Sequence, residues 1–158
     1  IILSQYGHMF APRPLVVVRE LARVLKPGGI LAFSTWPKEL FMGKFFKLIE
    51  SFSQPLPPEV ASPVLWGDMA IIEDRLKDHF DHIEFARDTM FAPTMSPAHM
   101  LKLFEKNAGP LANLVKALAD DPTKLSNLRN AALVLIEKFF SNNFLRQDFL
   151  MTRCVKKT

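Results

Sequence analysis

Cysteine, tyrosine and glycine are all scarce in this chain: its 158 residues hold one cysteine, one tyrosine and six glycines. A lone Cys154 excludes an internal disulfide framework and suits a reducing, cytoplasmic setting. So few glycines leave little for a phosphate cradle. Neither G-x-G-x-G nor G-x-G-x-x-G occurs, and Gly28-Gly29 is the only adjacent pair. Long apolar runs are missing too. None approaches the ~18 residues of a membrane-spanning helix, and no charged leader precedes an apolar run at the start. Charge of one sign is not massed anywhere. The chain carries 20 lysines and arginines against 16 acids, a net charge of +4. These charges are scattered rather than striped, which leaves no footprint for nucleic acid. Asp78, His79, Asp81 and His82 lie close in sequence, but they straddle a helix end and a strand start. Their side chains therefore diverge, and no metal site is expected.

The stretch Pro12–Trp36 (PRPLVVVRELARVLKPGGILAFSTW) reads as helix, stop and buried strand. Pro14 suits a first helical position, where its missing N–H costs nothing. Val17, Val18, Leu21, Val24 and Leu25 recur at helical spacing and predict one apolar face. Arg19, Glu20, Arg23 and Lys26 predict the polar one. Pro27 stops the helix, and Gly28 and Gly29 permit the positive φ needed to turn back. Ile30-Leu31-Ala32-Phe33 lacks polar alternation, as a strand covered on both faces does. Together they predict an α/β layer with a parallel sheet. At 158 residues such a chain can bury roughly 70% of its unfolded surface.

RELARVLKPGGILAFSTW, preceded by SQYGHMF, resembles the second half of a class I S-adenosylmethionine-dependent methyltransferase. It is most similar to small-molecule enzymes of the quinone-biosynthesis kind. The resemblance implies the C-terminal part of a Rossmann-like α/β sheet, one partial domain over residues 1–158. Residues 1–36, 82–91 and 148–156 would form the sheet portion, the last strand antiparallel beside the fifth. Residues 96–143 would form a helical cap inserted between the last two strands. The family's glycine-rich cofactor turn would lie upstream, so this chain reads as an incomplete fold. The cofactor implied is S-adenosylmethionine, and the partners are a small-molecule acceptor and either a second copy or the N-terminal half. By resemblance Ser4, Gln5 and Tyr6 meet the cofactor, and Tyr6, His8 and Phe10 form the wall facing substrate. His8 is the candidate proton acceptor. A loop with a hydrogen-bonded histidine and space-filling aromatics is the plainer reading of the same residues.

Further along, Phe45, Leu48, Ile49 and Phe52 predict a short amphipathic helix. Four prolines between Gln54 and Pro63 predict an irregular surface loop. Gly67-Asp68 is expected to cap a helix through about His79, with Met69, Ile72 and Leu76 inward. Ile83–Phe91 reads as a half-exposed strand. Ser96-Pro97 opens a helix; Leu111, Leu114, Val115 and Leu118 mark a second, and Leu125 to Phe139 a third, ended by Asn142-Asn143. Phe149–Val155 reads as the final strand. Trp36, Met100 and Phe104 are candidates for lining an apolar acceptor pocket, although Trp36 equally suits a loop anchor and a Met- and Phe-rich stripe equally suits a core. Two function classes follow: methyl transfer to a small apolar or aromatic acceptor, or a non-catalytic dimerisation or binding module on the same scaffold.

Overall fold

The computed structural model describes residues 1–158. In it Pro14 stands in the first turn of helix α1, Pro14–Val24. The chain then reverses at Gly28, whose φ of +74° strains any other residue type. Gly29 is needed for space instead of conformation: a Cβ there would lie 2.7 Å from the Lys26 carbonyl oxygen. Strand β2, Ile30–Thr35, follows directly. It pairs in parallel with β1, Ile2–Gln5, placing Leu3 opposite Ala32 and Ser4 opposite Phe33.

The remaining elements are α2 (Phe41–Phe52), α3 (Met69–Leu76), β3 (Phe80–Pro93), α4 (Pro97–Asn107), α5 (Gly109–Ala117), α6 (Pro122–Glu137), β4 (Phe140–Ser141) and β5 (Phe144–Lys156). The five-stranded sheet runs β1-β2-β5-β3, with β4 hairpinned onto β5. β5 is antiparallel to β2, with Cys154 opposite Leu31 and Thr152 opposite Phe33. The chain is thus mixed α/β, with the last strand antiparallel beside β2 as the resemblance implied. Cys154 is fully buried on β5, and burial pushes its thiol pKa up to about 12. It packs as a small apolar side chain.

Two compact units divide the chain. The first comprises residues 1–38, 56–88 and 148–158, the second residues 39–55 and 89–147. In the first, Leu31, Phe33, Trp66, Ile72, Leu76 and Phe80 are buried to 2% exposure or less. In the second, α2 joins α4, α5 and α6 around Phe41, Phe45, Leu111, Leu128 and Ile136. Phe41 stacks on Phe45 and Phe104, and Phe139 meets it edge-on. The helical unit therefore takes in α2 as well as the expected segment 96–143.

Several boundaries and faces differ from expectation. α1 buries Val18, Ala22 and Leu25, whereas Val24 is 58% exposed and Val17 and Leu21 are only partly covered. Met69 points outward on α3; Ile72 and Leu76 alone carry its inward face. Asn142 and Asn143 do not end a helix. Both have positive φ, 49° and 61°, the two-residue type I′ turn that joins twisted antiparallel strands. β5 accordingly begins at Phe144 rather than Phe149.

Candidate functional site

β1 and β2 are parallel, so their carboxyl ends lie side by side, where open α/β sheets place ligands. The loop after β1 begins with Tyr6 at φ 59°, a left-handed conformation that costs a non-glycine residue ~1 kcal/mol or more. Surrounding contacts hold it there. The Tyr6 N–H donates to the Ser34 carbonyl at 3.2 Å. Its ring lies flat on Trp36, centroids 3.9 Å apart and planes 6° from parallel. Burial raises the phenol pKa, and a hydrogen bond with Ser34 pulls the other way. The strained tyrosine thus clamps the two strand ends together through its backbone and its ring.

His8 follows on the 3-10 turn His8–Phe10 and is 9% exposed. Its backbone N–H donates to Ser4 Oγ at 3.3 Å, and its Nδ1 lies 3.0 Å from the same oxygen. Ser4 therefore brackets the histidine, and its hydroxyl is already engaged. The imidazole lies against Phe33 (4.4 Å) and edge-on to Trp66 (4.6 Å). Nε2 is buried and has no hydrogen-bond partner. Burial first, and the Arg75 charge second, lower its pKa to about 4. The ring is consequently neutral at pH 7.

Arg75, on α3, carried no signal in the sequence. Its guanidinium lies 4.6 Å from the Trp66 ring centre, and one of its nitrogens is buried and unpartnered. Gly67 lets the chain after Trp66 lie directly against the Trp36–Pro37 backbone, because a Cβ there would fall 1.9 Å from the Trp36 carbonyl oxygen. Asp68 caps α3 through Ala70 N–H at 3.1 Å and pairs with Lys38. Arginines beside a tryptophan leave no local trace in sequence; only the fold assembles them.

The structure thus brings together Ser4, Tyr6, His8 and Trp36. Gln5 is the last residue of β1 and Phe10 ends the 3-10 turn, both with exposed side chains, Phe10 at 49%. Met100 and Phe104 belong to the helical unit and are described with it. Met100 is 4% exposed within the core, and Phe104 packs on Phe41 and Phe45. Both pack among the helices, Met100 within the core and Phe104 partly buried against it.

No family model matches the sequence. Among proteins similar in sequence, the uncharacterized protein Rv1403c of Mycobacterium tuberculosis is 27% identical over 151 residues, 95% of this chain and 55% of its own length. A second uncharacterized protein of that organism, Rv1405c, is 24% identical over 157 residues, 99% of this chain and 57% of its own. The chain spans little more than half the length of these relatives. Among solved structures, phosphoethanolamine N-methyltransferase 2 of Haemonchus contortus, in complex with S-adenosyl-L-methionine, aligns with 99% of this chain and 33% of its own. The identity there is 15% and the TM-score 0.44. A Bacillus halodurans protein provisionally classed as a methyltransferase aligns with 99% of this chain and 63% of its own, at 13% identity and a TM-score of 0.49.

Proposed function

We propose that this chain is part of an enzyme that transfers a methyl group from S-adenosylmethionine to a small apolar or aromatic acceptor. The observation that carries this reading is the sheet itself. The phrase RELARVLKPGGILAFSTW lies in register as helix, glycine turn and strand, and the final strand lies antiparallel beside β2. That is the arrangement the resemblance calls for.

The loop Ser4–Phe10 then has a defined task. The activated sulfonium of the cofactor supplies the reactive methyl, so the protein must align the acceptor and exclude water. The stacked Tyr6–Trp36 pair gives a rigid, flat surface at the strand ends. Gln5, exposed beside it, is the side chain free to meet the cofactor, since Ser4 is occupied by His8. His8 acts as proton acceptor only with its own proton on Nδ1, donated to Ser4, and only if the packing of Phe33 and Trp66 over its buried Nε2 yields to the acceptor. With a pKa near 4 it is a weak base, and its contribution belongs at the low end of the ~10²–10⁴-fold range for such groups.

The test is methyl-labelled S-adenosylmethionine offered with a panel of phenols and aromatic amines. The protein used should extend over the length of the mycobacterial relatives. Label recovered in an organic product is the expected result. The absence of both methyl transfer and calorimetric cofactor binding in that longer protein would remove the reading. A specific observation favours the other class, a binding module: the outward Val17, Leu21 and Val24 stripe of α1 lines an open apolar depression with Val16 and Glu20. In that longer protein, cofactor binding without transfer to any acceptor would not decide between the two, whereas tight self-association without cofactor binding would favour the module.

A further inference from the structure

The helical unit carries a second pocket, independent of the methyl-transfer reading. Pro93, Thr94, Met95, His99, Asn143 and Phe144 line an open depression of about 360 Å³, within the size range of small-ligand sites. Its walls are apolar and unusually bare. Met95 is 75% exposed and Phe144 42%, and Phe144 meets Phe91, itself 59% exposed, edge-on at 6.3 Å. The strand-to-helix corner and the type I′ turn are held together by the Thr94 N–H donating to the Asn143 carbonyl at 2.8 Å. The pocket is therefore fixed on both sides by backbone.

His99 supplies the polar point, and its tautomer follows from its neighbours. The Met95 backbone N–H donates to His99 Nδ1 at 3.4 Å, and an N–H can only donate. Nδ1 therefore accepts, and the Thr94 hydroxyl, 3.0 Å from Nδ1 and 3.3 Å from the Ser96 carbonyl oxygen, shares its single proton between those two acceptors. The ring's own proton is then on Nε2, and no protein group accepts it. The backbone of His99 is fixed separately, its N–H donating to Ser96 Oγ at the start of α4. The residue that carries this N–H lines a greasy concavity.

We infer that this pocket binds a planar apolar molecule carrying one hydrogen-bond acceptor oxygen, the oxygen on His99 Nε2–H and the ring between Met95 and Phe144. An anion is the poorer fit, because no cation lines the pocket. Acetophenone is a suitable probe, and ethylbenzene matches its shape without the oxygen. A ligand of this size is expected to bind at roughly millimolar strength.

The experiment follows the His99 imidazole and Met95 methyl resonances of the full chain during titration. Acetophenone should shift both saturably, and ethylbenzene should bind about 3- to 10-fold more weakly, the worth of one hydrogen bond. Met95→Ala, which removes an exposed side chain and leaves the fold alone, should weaken acetophenone several-fold. Equal affinities for the two probes would overturn the oxygen assignment and with it the proposal. So would shifts that never saturate, or that persist unchanged in Met95→Ala. None of these readouts involves S-adenosylmethionine, so failure here leaves the methyl-transfer reading standing, and the reverse.

Discussion

His8 is the residue at which burial, charge and packing meet. Its pKa falls from 6.5 to about 4, so the unfolded chain binds a proton between those values that the folded one refuses. Stability is therefore fully present above pH 6.5, declines as the pH drops and levels off below about 4. The full effect is about 3 kcal/mol. Urea titrations at pH 7 and pH 4.5 should show it, and His8→Phe should flatten that part of the profile. Gly67 makes a sharper case. An added methyl would collide with the Trp36 carbonyl, which is backbone and cannot swing aside. Gly67→Ala is expected to cost about 3 kcal/mol, read as a drop in the denaturant midpoint. At this scale the Ser4–Phe10 loop was legible because it follows a strand and precedes a proline-opened helix. Arg75 was not, because it lies outside that loop and acquires its place only when α3 packs.

Helix starts were more legible than helix stops. Ser96 and Asp121 each accept from a backbone N–H at the start of α4 and α6, at 3.1 and 2.9 Å, and both start sites stand out as a short polar residue before proline. Asp68 does the same for α3 while pairing with Lys38. The two contributions can be separated. Asp68→Ala should lose about 1 kcal/mol from the cap. Lys38→Met should lose under about 0.5 kcal/mol, since the pair is largely solvated. Thermal melts of the two variants give the comparison, and equal losses would mean that the ion pair dominates. Faces were harder to read than starts. α1 is apolar from Leu15 to Val18, so several stripes fit the helical period, and Ala22, a weak signal, turned out to face inward. Asn142-Asn143 misled because asparagine suits a helix end and a type I′ turn alike.

At the scale of the whole chain, β1 is an edge strand with Leu3 78% exposed, and α1 leaves its second apolar stripe uncovered. An unpaired strand edge beside an uncovered apolar stripe favours association with another surface. The chain alone should therefore associate. Sedimentation should show species heavier than 18.0 kDa, and a stable monomer would refute the uncovered-edge argument. Nor should the chain alone hold S-adenosylmethionine at micromolar strength, which requires about −8 kcal/mol. Calorimetry showing a micromolar 1:1 complex would reverse that. Cys154 gives the molecule a gauge of its own. It is the only thiol, wholly enclosed on a strand between β2 and β3, and its proton is held to about pH 12. A thiol reagent can reach it only when the packing over that strand opens, so the labelling rate in native buffer reports how often this happens. The same measurement on a longer protein would report how far a covered β1 edge slows the breathing of the sheet.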